Sequence, residues 1–113
     1  MPIFDKSNYT VNESLLMKSA AYKATNVLAS KTAMISAQLE SGTAEGAILV
    51  NLETGEMLNI SKIAKLATGN LQVFFSPADS GIVAGTLYTR IILVDSEGAI
   101  SSNCVDMPAL TLK

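Results

Sequence analysis

Residues Gly85-Thr-Leu-Tyr-Thr-Arg-Ile-Ile-Leu-Val-Asp-Ser-Glu-Gly-Ala-Ile-Ser-Ser102 hold the strongest folding constraint in this chain. A long β-branched and aromatic run is broken at Asp95-Ser-Glu-Gly98 and followed by a shorter apolar stretch. That pattern predicts a β-hairpin, with Gly98 free to take the positive φ its turn needs. A second hairpin is predicted where Ala47-Ile-Leu-Val-Asn-Leu52 and Glu56-Met-Leu-Asn-Ile60 flank Glu53-Thr-Gly55, with Gly55 as the left-handed residue. Between Lys31 and Leu39 the apolar period is also two, because Ala33, Ile35, Ala37 and Leu39 alternate with Thr32, Met34, Ser36 and Gln38.

Other segments fit the same class. Leu71, Val73 and Phe75 share one face of a strand that Pro77 ends, since proline cannot donate to a ladder. Lys62-Ile-Ala-Lys-Leu66 is open between a helical turn and a strand. The tail from Cys104 to Lys113 reads as a last strand edged by Pro108. About seven short strands with turn signals between them imply a small antiparallel β-sandwich. Parallel βαβ organisation lacks its helices.

One helix is expected. Thr10-Val-Asn-Glu13 has the spacing of a capping box. Met17, Ala20, Ala21, Ala24, Val27 and Leu28 then recur at three- and four-residue steps. The reading is a short Ala-rich helix over about 11–24, with an extended arm as the alternative. The chain thus divides into an N-terminal arm and short helix over residues 1–30 and a β-sandwich domain over residues 31–113.

The chain is 113 residues, 49% hydrophobic and only 16% charged. Globular domains usually carry about 25% charged residues, so the composition points to apolar surface left uncovered that contacts other chains, with a well-packed monomer as the alternative. Net charge is −2 and the eight basic residues are scattered. No basic patch offers a footprint for phosphates, and direct nucleic-acid binding is not expected. No apolar stretch reaches the ~20 residues a membrane helix needs. The opening Met1-Pro-Ile-Phe-Asp-Lys6 has no charged leader ahead of an apolar segment, so synthesis and folding in a reducing cytoplasm are expected. Asn8, Asn12 and Asn59 then stand in chance glycosylation sequons.

Chemistry finds little support. With no histidine, the commonest general base, the Ser-His and Cys-His pairs and the usual zinc ligands are missing. Cys104 is the single cysteine; burial as a small hydrophobe is its commoner fate, and reactivity would require exposure. Glu53 and Glu56, and Asp95 and Glu97, are carboxylate pairs, but each sits where turns favour solvated side chains. Asp95-Ser-Glu-Gly98 lacks the further oxygen ligands of a calcium loop. No cofactor, no metal and no enzymatic activity are expected. Arg90, the only arginine, is read as a strand residue snorkelling to solvent or as a partner-facing salt bridge.

The block from Gly85-Thr-Leu-Tyr88 to Asp95-Ser-Glu-Gly98 resembles immunoglobulin-like domains of bacteriophage virion proteins, in which a G-T-Y strand leads into an Asp- and Gly-containing hairpin. This chain departs from them in having no tryptophan, no disulfide and the extra segment over 1–30. The resemblance implies a head decoration or cement protein, or a baseplate or adhesion part. It brings no functional residues with it, because those families have no motif-defined site. The expectation is a non-enzymatic structural subunit of a virus particle, made in the host cytoplasm and located in the virion. Its partners would be capsid or other virion protein subunits and further copies of itself, with no membrane. The contact residues are expected to be Ile3, Phe4, Tyr9, Leu16, Met17, Ala20, Ala24 and Arg90. The alternative is a ligand- or carbohydrate-binding or adhesion module of a larger surface assembly.

Overall fold

A computed structural model describes residues 2–113. The chain is mainly β, as expected, and among the described residues no helical element exceeds the four-residue 3-10 turn Pro77–Ser80. In order the strands are β1 (Val11–Asn12), β2 (Leu16–Tyr22), β3 (Asn26–Val27), β4 (Ala33–Ser41), β5 (Gly46–Asn51) and β6 (Lys62–Lys65). They continue with β7 (Leu71–Phe75), β8 (Gly85–Leu87), β9 (Thr89–Val94), β10 (Ile100–Ser101), β11 (Val105–Asp106) and β12 (Leu110–Leu112).

Three sheets result. The first is antiparallel throughout, in the order β2-β4-β7-β6. The second is built on β9, which pairs with β5 along one edge and with β10 and β11 along the other. Strand β1 adds in parallel to β10. The third holds β3 parallel to β12, with β8 antiparallel on the far side of β12.

Both expected turns close, but the second returns as an isolated bridge at Met57 rather than as a strand over 56–60. At the β9–β10 turn Gly98 has φ +83° and Asp95 N–H donates to Ala99 O at 2.9 Å. After β5, Gly55 has φ +76° and Val50 bridges Met57. Strand β7 stops at Phe75 ahead of Pro77, Lys62–Lys65 resolves as a strand, and Pro108 separates β11 from β12.

The expected helix over 11–24 does not form. Residues Leu16–Tyr22 are strand β2, paired with β4 from Leu16↔Ser41 to Tyr22↔Ile35. A β-bulge accounts for the helix-like spacing. Met17 faces Leu39 and Ser19 faces Gln38, so β2 advances two residues while β4 advances one. Lys18 is the extra residue, and it brings Met17 and Ala20 to the core side at a spacing of three. A bulge thus imitates a helical period. Nor does Thr10 cap anything helical, since its carbonyl accepts from Ile100 N–H at 2.8 Å as β1 joins β10.

Residues 2–30 are accordingly no separate arm. Within them β1 enters the second sheet, β2 the first and β3 the third. One core binds all three sheets: Met17 and Tyr22 meet Ile35, Val73 and Phe75, Leu49, Ile91 and Leu93, and Leu87 and Leu110. Leu15, Ile35, Val73, Phe75, Ile91, Leu93 and Leu110 are fully enclosed.

Candidate functional site

Strand β9 contains Ile91-Ile-Leu-Val94, an apolar run with no alternation. Such a strand needs cover on both faces. Ile91 and Leu93 point into the main core; Ile92 points the other way, into a second buried cluster with Val50 and Ile100. Phe4, Tyr9, Val11, Ile48 and Val94 pack against that cluster.

The cover is the chain's own start. At one edge, Phe4 N–H donates to Gly55 O and Met57 N–H donates to Pro2 O, both at 2.8 Å, with Ile3 bridging Glu56. At the opposite edge β1 pairs with β10. Between the edges the chain makes one exposed 3-10 turn, Lys6–Asn8, capped by Asp5 Oδ1 accepting from Ser7 N–H at 3.0 Å. That cap, the Ser7 hydroxyl first and then the Ser7 amide, holds the Asp5 carboxyl below its ordinary pKa. Phe4 and Tyr9 stack with centroids 5.4 Å apart, and Tyr9 Oη reaches Met57 Sδ at 3.6 Å. Residues 2–12 thus form a strap across the outer face of the second sheet.

Beside the strap is a hollow of about 190 Å³, lined among others by Phe4, Lys6, Arg90, Ile92, Ile100 and Cys104. Arg90 forks onto Asp106, its cross-strand neighbour, through Nε–Oδ1 at 2.6 Å and Nη2–Oδ2 at 3.1 Å. The pair raises the pKa of the guanidinium and lowers that of the carboxyl. The salt bridge of Arg90 is therefore made within the chain, and its guanidinium is committed to this ladder. Cys104 is exposed, against the commoner expectation of burial, because it lies in the irregular Ser102–Cys104 link between β10 and β11.

The other expected contact residues divide. Ile3 is 60% exposed and Ala24 is also exposed. Phe4, Tyr9 and Leu16 are half-buried, Phe4 and Tyr9 in the strap cluster. Met17 and Ala20 pack into the main core, Met17 fully, so these two serve this chain's own packing. Sequence reasoning missed Leu52 and Tyr88, which are 38% and 44% exposed. They are held side by side at the end of the β5–β9 ladder by Leu52 N–H donating to Tyr88 O at 3.0 Å. Ile3 borders the same turn, its Cγ2 lying 3.7 Å from where a Cβ on Gly55 would stand. Ile3, Leu52 and Tyr88 make an apolar rim at one end of the sheet. The signal for it was a leucine placed inside a turn, where polar residues are usual.

The Asp95 carboxylate serves its own turn. Asp95 Oδ1 accepts from Glu97 N–H and Ala99 N–H, both at 2.9 Å, and Oδ2 accepts from Asn12 Nδ2 at 2.8 Å. Asn12 first, then these amides, hold the Asp95 carboxyl below its ordinary pKa. Among the described residues no three of His, Cys, Asp and Glu come together. No helix among them is long and apolar enough to cross a membrane. Set against protein-family models and curated proteins, the chain matches none.

Proposed function

We propose that this chain is a non-enzymatic structural subunit of a virus particle, a decoration or cement protein that packs against neighbouring protein subunits. The carrying observation is the apolar rim of Ile3, Leu52 and Tyr88 on a domain with few charges. An exposed aromatic such as Tyr88 anchors protein contacts when a partner and its apolar neighbours exclude water from it. In this reading the sheets form the immunoglobulin-like β-sandwich that the resemblance implies, and the contact residues move from the Ala-rich stripe to the rim. The preferred partner is the shell protein of the same particle.

The experiment follows the chain through a density gradient of lysate from its source. Co-migration at a fixed ratio with a nucleic-acid-containing particle is expected, and Leu52→Ser/Tyr88→Ser should release the chain from the particle with its melting temperature unchanged. Recovery of the native chain solely as a small free species overturns the proposal. In that case, a ligand-dependent rise in melting temperature would favour the binding-module reading instead.

A further inference from the structure

We infer that residues 2–12 are an exchangeable strap, which leaves its own sheet and seats on the same face of a second copy of this chain, joining the two as a strap-swapped dimer. This inference is independent of the particle reading.

Four observations lead to it. First, the strap's cluster is separate from the main core. Val50, Ile92 and Ile100 are its buried members, and none of them belongs to the cluster that binds the three sheets. The strap can therefore depart while the main core stays closed. Second, its ends are lightly held. Among the described residues, one end has two backbone hydrogen bonds, Phe4 to Gly55 and Met57 to Pro2; the other has the two-residue β1–β10 ladder, with Asn12 Nδ2 on Asp95.

Third, the seat cannot stay empty. Val50, Ile92 and Ile100 are 6%, 4% and 2% exposed with the strap in place, and its departure opens them to water together with a free sheet edge. The occupant whose fit is already displayed is the strap itself. A second copy brings the same Phe4, Tyr9 and Val11 and the same edge amides, so exchange replaces every contact in kind. Fourth, there is a hinge and enough reach. The strap joins the domain through the exposed Glu13, directly before Ser14, whose carbonyl accepts from Ser41 Oγ at 2.8 Å, and the fully buried Leu15. That turn is closed by Leu15 N–H on Asn12 O at 3.1 Å and Ser14 N–H on Asn12 Oδ1 at 3.0 Å. Opened out, eleven residues span roughly 36 Å, whereas the molecule is 20 Å across its thin axis.

Ile3 and Glu56 supply the test. They oppose each other in an antiparallel bridge flanked by the Phe4 and Met57 hydrogen bonds, which makes them a non-hydrogen-bonded pair. The Cα atoms of such a pair stand about 4.5 Å apart, within disulfide reach. In a Cys104→Ser full-length chain, Ile3→Cys is mixed with a size-tagged Glu56→Cys after equilibration over a concentration series, then oxidised. The expected result is a mixed disulfide that exceeds both like-with-like disulfides and grows with concentration. The double variant Ile3→Cys/Glu56→Cys should pass from an internally linked monomer to a doubly linked dimer over the same series. Native mass spectrometry of the unsubstituted chain reads the dimer without any change to the strap. A chain that stays monomeric throughout, or a dimer whose cysteines link solely within each chain, overturns the proposal.

Discussion

Removing the hydroxyl of Tyr22 should destabilise the domain out of proportion to the single atom lost. Tyr22 Oη and Thr89 Oγ1 are 2.7 Å apart, in the core, on strands of different sheets. Thr89 is fully enclosed, so Tyr22→Phe leaves its hydroxyl with no partner and no water. An orphaned buried hydroxyl costs about 1–3 kcal/mol. Thr89→Val strands the other partner at a similar cost. In Tyr22→Phe/Thr89→Val both polar atoms are gone and the shape is nearly kept. The double change should therefore cost less than the two single changes added, with a coupling of about 1–2 kcal/mol. Urea unfolding of the four chains, read at the transition midpoint, measures it.

The same pair predicts a response to alkali. Burial pushes the Tyr22 phenol above its ordinary value of 10.0, and the bond with Thr89 pulls it part of the way back. Below that value both folded and unfolded chains keep the proton, and Tyr22 adds no pH dependence. Above it the unfolded chain releases a proton that the folded chain retains, so stability falls as pH rises from about 10 until the folded group also ionises. In Tyr22→Phe this part of the alkaline slope disappears. Additive single changes, or an unaltered slope in Tyr22→Phe, would refute a buried and mutually dependent pair.

Two further outcomes follow from the geometry. Gly42 and Gly98 both have positive φ, +85° and +83°, but a Cβ on Gly42 would stand 2.7 Å from Ser14 O and 2.8 Å from Leu15 Cα, whereas on Gly98 it meets nothing. Gly98→Ala should thus cost about 1–2 kcal/mol for the left-handed backbone alone, and Gly42→Ala clearly more; equal losses by thermal unfolding would mean that the Ser41–Gly42 turn does not rest on residues 14 and 15. The Arg90–Asp106 fork is bidentate but its side chains are 41% and 53% exposed, so a double-mutant cycle with Arg90→Met and Asp106→Asn should give a coupling below about 1 kcal/mol that shrinks in salt; a coupling twice that size and indifferent to salt would place the pair out of water.

The hairpin turns were legible because their information is local. Gly55 and Gly98 stand where a turn requires positive φ, and the flanking residues have strand character on their own. Strand β2 was not legible, for two separable reasons. Its Ser19-Ala-Ala21 centre has weak strand propensity, and its bulge at Lys18 replaces a period of two with a step of three. What makes it a strand is β4, some twenty residues on, and no window around Leu16–Tyr22 contains that partner. The rim was half visible. Ile3 was named from the sequence, but Leu52 and Tyr88 become neighbours only when Asn51 pairs with Thr89. Cys104 followed the usual fate of its residue type until an irregular link between β10 and β11 carried it to the surface.

The strap, by contrast, was implied by a feature in plain view. Four consecutive apolar residues, Ile91 to Val94, fit neither a half-exposed strand nor any helix in this fold, so something had to lie on the far face of β9. The aromatic residues not taken up by the first sheet include Phe4 and Tyr9, in a segment that would be wasteful if left in water. Joining those two facts places the chain's start over Ile92 without reference to any partner. It also ties the two proposals together at one residue. Ile3 belongs to the strap and to the rim, so a strap that changes subunits carries part of the rim with it. Leu52 and Tyr88 stay behind on the sheet. Leu52→Ser/Tyr88→Ser should then weaken attachment to a particle while leaving strap exchange intact, and an internal Ile3–Glu56 disulfide should block exchange while leaving Leu52 and Tyr88 in place. Opposite responses to the two changes would separate a surface that holds other proteins from a segment that joins copies of this one.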